Sequence, residues 1–304
     1  MKALAYDADA EVVDASDAPA SIEGAATADE RHQVVLDKEV RAHVGRARRQ
    51  LIQVNVGRLA VFAAFIGFWQ WSSDRLVDRL FVSDPLSVAR AFRDLVTDDD
   101  FFFHLRFTLS EVGAGYGLGV GLGLTCALAL SFSHVAQRIF HPFLIIFYSI
   151  PKVALAPLII MWFGLGMKSK VLLAMAFVFF VVFMNTLAGI NAVSKDLVNV
   201  SRVMGVNRRQ LIRKIILPSA FPYIVMSLHI TVPLAMVGAI LGEFLAGNRG
   251  IGYLINAASN QYNSARVFAG IIVVLMIVLV MSSAIGLVEK RVLRWRPEST
   301  RTSF

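Results

Sequence analysis

Long apolar stretches separated by short polar segments make up most of this 304-residue chain. Six stretches approach the length of about 20 residues with which a helix crosses a bilayer. They lie near 52–73, 109–131, 139–163, 171–190, 220–246 and 267–288. Backbone polar groups surrounded by lipid must be paired within their own segment. The pattern therefore predicts an all-α polytopic membrane protein with six transmembrane helices.

The composition excludes most other classes of protein. Apolar residues make up 56% of the chain and charged residues 17%, against about 45–50% and about 25% in soluble domains. Such a sequence is too apolar for a disordered chain, and Cys126, the single cysteine, excludes an internal disulfide. The net charge of +8 does not indicate nucleic-acid binding, because basic residues at the inner ends of spans hold the topology of membrane proteins.

The charge changes sign along the first 50 residues, which we interpret as an N-terminal cytoplasmic tail. Residues 1–39 carry ten acidic and three basic residues and are expected to be disordered or loosely helical. The basic part that follows leads into a transmembrane domain at 51–295, and 296–304 form a second cytoplasmic tail. Basic residues cluster at 41–58, in the loop 191–219 and after the sixth span. With six spans these three regions share one side, so both termini are expected to be cytoplasmic. Lys168 and Lys170 conflict slightly with this topology, because they lie in an opposite-side loop.

Glycine recurs at every second position of the second span, from Gly113 to Gly123. Because glycine has no side chain, neighbouring helix backbones can approach closely at such positions. We therefore expect Gly115, Gly119 and Gly123 to be helix-packing residues.

Two charged residues inside predicted spans are candidates for a transport pathway. Lys152 follows Pro151 in the third span, where the proline should kink the helix. Glu243 lies in the fifth span, and an intramembrane carboxylate is a functional candidate by default. Two alternatives stay open: Lys152 could reach water from a packing helix, and Glu243 could pair with Lys152, Arg249 or a backbone amide.

The loop 191–219 has a defined internal pattern. Residues 195–204 place apolar side chains on one helical face, and Gly205 should end that helix. Asn207 and Gln210 form a capping-box-like pair for a second helix, and Pro218 marks a kink or restart before the fifth span. An apolar face rimmed by arginines predicts a docking surface for a partner protein, or a helix lying on the inner leaflet.

No catalytic constellation, metal-ligand spacing or phosphate-binding loop occurs in the sequence. We therefore expect no metal or cofactor to be bound by this chain, and no enzyme activity. If ATP is used, another chain must bind it.

The segment from Gly205 to Ile215, Leu217 and Pro218 matches G-x9-I-x-L-P, the latter part of the EAA signature of ABC importer permeases. The EAA positions read Asn199-Val200-Ser201, which keep the small third residue but not the acidic one. Residues 151–158, 162–166, 185–189 and 242–253 resemble the nitrate/sulfonate/taurine branch of these permeases. The resemblance covers roughly residues 85–295.

The resemblance implies a type I ABC importer permease (MetI-like) fold in the cell membrane of a prokaryote. It implies a small, anionic, sulfonate-, taurine- or nitrate-like solute as substrate. Its partners would be two ABC ATPase subunits that hold ATP and Mg, an extracytoplasmic substrate-binding protein and a second, identical permease subunit. The residues implied at the ATPase-coupling loop are Asn199, Val200, Ser201, Gly205, Asn207, Arg208, Arg209, Ile215, Leu217 and Pro218.

Two other classes of protein compete with the importer. A secondary transporter or channel without an ATPase would explain broken spans and intramembrane charges, but it predicts related repeats in the two halves. An intramembrane enzyme would need a catalytic constellation.

Overall fold

The computed structural model describes residues 50, 52–73, 75 and 83–292. Residues 1–49 of the predicted N-terminal tail lie outside the described residues, and so does the whole predicted C-terminal tail, 296–304. The chain divides into two units, Met1–Phe68 and Trp69–Phe304. What the structure describes of the first unit is one helix with mainly exposed side chains.

All described elements are helical. Their bounds are α1 Ile52–Ser73, α2 Pro85–Val96, α3 Phe101–Ser131, α4 His134–Ser149, a 3₁₀ turn at Lys152–Leu155, α5 Ala156–Phe163, α6 Met167–Asn191, α7 Lys195–Val203, α8 Arg208–Leu211, a π-helical turn at Ile212–Ile216, α9 Leu217–Ala246, α10 Ile251–Asn260 and α11 Ser264–Val292.

The described helices can cross a membrane five or six times. Four of the five long apolar helices are α1, α3, α6 and α11, and the fifth runs without a break over Arg209–Ala246. The sixth is the bent pair Val135–Ser149 and Lys152–Phe163, with 80° between its two parts. The predicted all-α architecture is confirmed, and counting the pair as one span gives the six predicted spans.

The bend follows from two residues that leave helical geometry. Ile150 and Pro151 are both extended, with ψ angles of 126° and 102°. Proline disfavours the helical conformation in the residue before it, and it has no N–H to donate to the preceding turn. The kink predicted at Pro151 is therefore a full break, after which the chain restarts as a 3₁₀ turn and then α5.

The expected kink or restart at Pro218 is a widened turn within a continuous helix. Leu217 N–H donates to Ile212 O, five residues earlier, at the end of the π-helical turn. Pro218 could not have donated to Lys214 O, because it has no N–H. The extra residue in the π turn accommodates the proline without ending the helix.

The core of the second unit is a close packing of α3, α6 and α9. A Cβ built on Gly115 would overlap Ala174 Cβ, one on Gly119 would lie 2.7 Å from Val178 Cβ, and one on Gly123 would lie 3.0 Å from Phe179 O. Gly113, Gly117 and Gly121, which alternate with these three, face open space. One glycine stripe of α3 therefore contacts α6, and the other lines an open face.

Two short helices, α2 and α10, lie between the predicted spans. α2 begins at Pro85, after Asp84 Oδ2 accepts a 3.0 Å hydrogen bond from Ser87 N–H, and it buries Val88 and Leu95. α10 follows Gly250 and buries Ile251 and Ile255. Both contribute to the same apolar core as α3, α6 and α9.

Candidate functional site

The loop 191–219 folds as the helix, turn and helix that its sequence predicts. α7 ends in a left-handed turn at Gly205, whose φ is +77°. Val206 N–H donates to Ser201 O at 3.1 Å, which is the six-to-one bond of a Schellman motif. Gln210 N–H donates to Asn207 Oδ1 at 2.9 Å, and Asn207 N–H to Gln210 Oε1 at 3.3 Å, so the predicted capping box is present.

The apolar side chains of α7 and its turn are exposed. Val203 and Met204, next to the turn, are 90% and 77% exposed, and Leu197 and Val200 are about half exposed. Asn199 and Arg209 are exposed, whereas Ser201 is buried and donates to Leu197 O at 2.6 Å. Ile215, Leu217 and Pro218 are half-buried at the start of the long helix. Apolar side chains this exposed beside a rigid turn are typical of a docking surface.

Lys152 lies at the break between α4 and α5. Its Nζ donates a 3.0 Å hydrogen bond to Tyr148 O and lies 4.9 Å from the Tyr148 ring and 5.4 Å from the Phe180 ring. Tyr148 O is free to accept because the break leaves the last carbonyls of α4 without helical donors. In this arrangement the ammonium group is held by a helix end and two aromatic faces.

Glu243, the other pathway candidate, is completely buried, and its carboxylate holds the start of α10. Thr108 Oγ1 donates to Glu243 Oε1 at 2.7 Å, and Gly252 N–H donates to Glu243 Oε2 at 2.5 Å. Of the alternative partners open to Glu243 from the sequence, the structure shows a backbone amide.

Three consecutive N–H groups at the start of α10 are bound by three side chains. Gly250 N–H donates to His104 Nδ1 at 3.0 Å, Ile251 N–H to Thr108 Oγ1 at 2.8 Å, and Gly252 N–H to Glu243. The first N–H groups of a helix have no partner within the helix, so side chains must supply one when the end is buried. We call these residues, His104, Thr108 and Glu243, the α10 clamp.

The glycines of this segment make room for the Glu243 carboxylate. A Cβ on Gly250 would overlap that carboxylate, and one on Gly252 would lie 2.7 Å from Glu243 Oε2. Gly250 also has a φ of +107° and a ψ of 166°, a region that only glycine adopts readily. The clamp thus explains the spacing of Gly242-Glu243 and Gly250-Ile251-Gly252.

Two further buried charges, Glu111 and Lys170, were not among the site residues that the sequence predicts. Lys170 Nζ lies 3.3 Å from Glu111 Oε1, and the two side chains are 2% and 1% exposed. One signal was available, because Glu111 precedes Gly115, Gly119 and Gly123 at four-residue spacing on the buried face of α3. Lys170 belongs to α6, which begins at Met167, and its pairing with Glu111 explains why a lysine occurs in the expected opposite-side loop.

Among the described residues, no group of three or more His, Cys, Asp or Glu side chains is arranged to hold a metal ion.

Residues 119–294 match the family described as "Binding-protein-dependent transport system inner membrane component". A relative from Bacillus subtilis, described as an aliphatic sulfonates transport permease protein, is 32% identical over 235 residues, covering 77% of this chain and 85% of the relative. The chain belongs to this family of transport permeases.

Other similarities agree with that membership. The permease is 37% identical to a riboflavin transport system permease protein of Chloroflexus aurantiacus over 211 residues, which are 69% of this chain and 79% of the relative. Its fold resembles a chain of the inward-facing MetNI methionine ABC transporter, with a TM-score of 0.54 and 19% identity, over 61% of this chain and 93% of that one. The fold similarity confirms the predicted permease fold, and the permease is a multi-pass inner membrane protein.

Proposed function

We propose that this permease is the membrane-spanning subunit of an ATP-driven importer, and that its 191–219 loop docks on cytoplasmic ATPase subunits. Two copies of the permease would form the pathway, two ATPase chains would bind ATP and Mg, and an extracytoplasmic protein would deliver the solute. ATP hydrolysis then belongs to the partner chains.

The observation that carries this proposal is the rigid, exposed end of α7. A helix that transmits a partner's movement must present apolar anchors and must resist bending. Val203 and Met204 supply the anchors, and the Schellman turn at Gly205 with the Asn207–Gln210 capping box supplies the rigidity. This loop leads directly into the 38-residue helix Arg209–Ala246, which reaches the buried Glu243.

The distribution of basic residues supports the orientation of the proposed importer. Six of them lie in the loop 191–219 against one acid, Asp196. Excess Lys and Arg mark cytoplasmic loops, so the loop and both chain termini would face the cytoplasm. In this proposal the domain limits stay as predicted from the sequence: cytoplasmic tails at 1–50 and 296–304, and a transmembrane domain at 51–295.

We infer that the solute is small and anionic. Support comes from the Bacillus subtilis relative that is described as an aliphatic sulfonates permease, and from Lys152 at the helix break. A lysine ammonium group at a break in a span is suited to attract an anion along a pathway. Lys152 and Glu243 remain the proposed pathway residues, with Glu243 acting through the α10 clamp in the arrangement seen.

The proposal is tested by assembling the permease with candidate ATPase and binding-protein partners. The ATPase should co-purify with the wild type, and ATP-dependent uptake of a sulfonate should appear in proteoliposomes. Gly205→Val should abolish co-purification or coupling, because a β-branched side chain is strained at a φ of +77°. Gly166→Val is the matched control, because its φ is −78° and a Cβ there meets nothing within 4 Å. Intact coupling in Gly205→Val would overturn the loop assignment, and uptake without any ATPase would instead support a secondary transporter.

A further inference from the structure

The buried polar groups near the start of α10 do not balance in charge. Two carboxyl groups, Glu111 and Glu243, and one ammonium group, Lys170, all have side chains at most 2% exposed. If both carboxyl groups were ionised, the trio would carry one uncompensated negative charge. A buried charge without a partner is strongly disfavoured in a low-dielectric interior.

One oxygen of this trio lacks a donor. Lys170 binds Glu111 Oε1, Thr108 donates to Glu243 Oε1, and Gly252 N–H donates to Glu243 Oε2. Glu111 Oε2 is buried and has no hydrogen-bond donor among the described residues. Thr108, one turn before Glu111 on α3, binds Glu243, and Gly242 packs against the Lys170 side chain, so the Glu243 carboxyl group lies beside Glu111. Two ionised carboxylates can only accept.

We propose that Glu111 and Glu243 together bind one proton, which lies between Glu111 Oε2 and the Glu243 carboxylate. With this proton, Glu111 Oε2 donates a hydrogen bond to the Glu243 carboxylate, so neither oxygen lacks a partner. The trio then has no net charge. No bond other than the O–H bond to this proton is formed, and the proton comes from water.

The other titratable and charged groups near the trio have contacts of their own. On α3, His104 Nδ1 accepts from Gly250 N–H, so that nitrogen carries no proton. On α10, the Tyr253 ring stacks on His104 at 5.7 Å. In the segment before α10, Arg249 lies over the Phe107 ring at 4.5 Å. On α6, Lys170 already donates to Glu111 Oε1.

The bound proton would link the α10 clamp to pH. Deprotonation would place two negative carboxylates against each other, and the repulsion would act on Glu243, which holds Gly252 and Thr108. The folded protein binds one proton that the unfolded chain releases at neutral pH. Stability must therefore fall as the pH rises. The equilibrium constant for unfolding should increase about tenfold for each pH unit over which the folded protein retains the proton.

Infrared spectroscopy of the purified full-length permease in lipid tests the proposal. A protonated-carboxyl C=O band should be present at neutral pH, should be lost in Glu111→Gln, and should persist in Glu289→Gln, whose half-exposed carboxylate pairs with His229. The amide introduced by Glu111→Gln can accept from Lys170 and donate to Glu243, so it mimics the protonated acid. If Glu111→Gln does not fold, Glu243→Gln serves instead, because Glu111 would then ionise beside Lys170 and the band would again be lost.

Thermal unfolding above neutral pH gives a second measurement that needs no transport partner. The melting temperature of the wild type and of Glu289→Gln should fall as the pH rises, and that of Glu111→Gln should change much less. A wild-type spectrum without the band at neutral pH would overturn the proposal. So would a band that survives both Glu111→Gln and Glu243→Gln.

Discussion

Thr108 and Glu243 are 135 residues apart in the chain, yet Thr108 Oγ1 donates to Glu243 Oε1 at 2.7 Å. The same hydroxyl oxygen accepts from Ile251 N–H at 2.8 Å, so a single threonine joins α3, α9 and α10. This threonine is completely buried, so water cannot replace either bond.

Thr108→Val should destabilise the permease by about 1–3 kcal/mol, because it leaves a buried carboxylate oxygen and a buried N–H without their partner. Thr125→Val is the control, because the exposed Thr125 hydroxyl only donates to carbonyls of its own helix. Thermal unfolding in detergent compares the two. Equal melting temperatures would show that the clamp contributes nothing to stability.

Gly119→Ala should destabilise the packing of α3 on α6. The added Cβ would lie 2.7 Å from Val178 Cβ and 3.0 Å from Met175 O, and overpacking of this kind costs about 1–3 kcal/mol. Gly121→Ala, on the open face of the same helix, should be neutral or stabilising by up to about 1 kcal/mol. Unfolding midpoints of both variants decide the matter, and the prediction fails if Gly119→Ala is as stable as Gly121→Ala.

Gly250→Ala should be more harmful than Gly164→Ala, although both glycines have the same kind of backbone conformation. Gly164 has a φ of 79° and open space around it, whereas a Cβ on Gly250 would overlap the Glu243 carboxylate. Each change strains the backbone by about 1–3 kcal/mol, and only Gly250→Ala also displaces the clamp. Limited proteolysis near α10 should therefore increase in Gly250→Ala alone.

Lys170→Met should cost about 3–5 kcal/mol, because removing the buried ammonium group leaves the negative charge that Glu111 and Glu243 share without a counter-charge. Lys168→Met, two residues away and exposed, should change stability by less than about 0.5 kcal/mol. Expression level and melting temperature measure both effects. Similar behaviour of the two variants would contradict the importance of the Glu111–Lys170 pair.

Lys152→Met should reduce uptake of an anionic solute in the reconstituted importer while leaving expression normal. The ammonium group is held by Tyr148 O and two rings rather than by a buried partner, so its loss should have little effect on folding. Lys152→Arg keeps the charge and should retain most of the uptake. Unchanged uptake in Lys152→Met would leave Lys152 as a residue that only fastens the end of α4.

The local features of this fold could be predicted because they depend on neighbouring residues. Pro151 broke the third span, and Gly205, Asn207 and Gln210 shaped the turn after α7, since each acts on its own backbone. The Glu111–Lys170 pair could not be predicted in the same way. It depends on the register between α3 and α6, which arises from glycine contacts between segments about 60 residues apart.

The helices α2 and α10 were missed for a similar reason. Both are too short to span a membrane, and α10 owes its start to side chains contributed by α3 and α9. Glu243 was noticed from its own sequence position, but its partners were not, because Thr108 lies just outside the second span that the sequence predicts.

The π-helical turn before Pro218 has a mechanical consequence. Because it preserves the helix through the proline, Arg209–Ala246 is one continuous helix of 38 residues, which at 1.5 Å per residue is about 57 Å along its axis. If the loop before this helix docks on an ATPase as proposed, a movement at the Arg209 end would be transmitted along the helix towards Glu243. The Glu243 end of the α10 clamp and the turn at Gly205 therefore lie at opposite ends of the same helix.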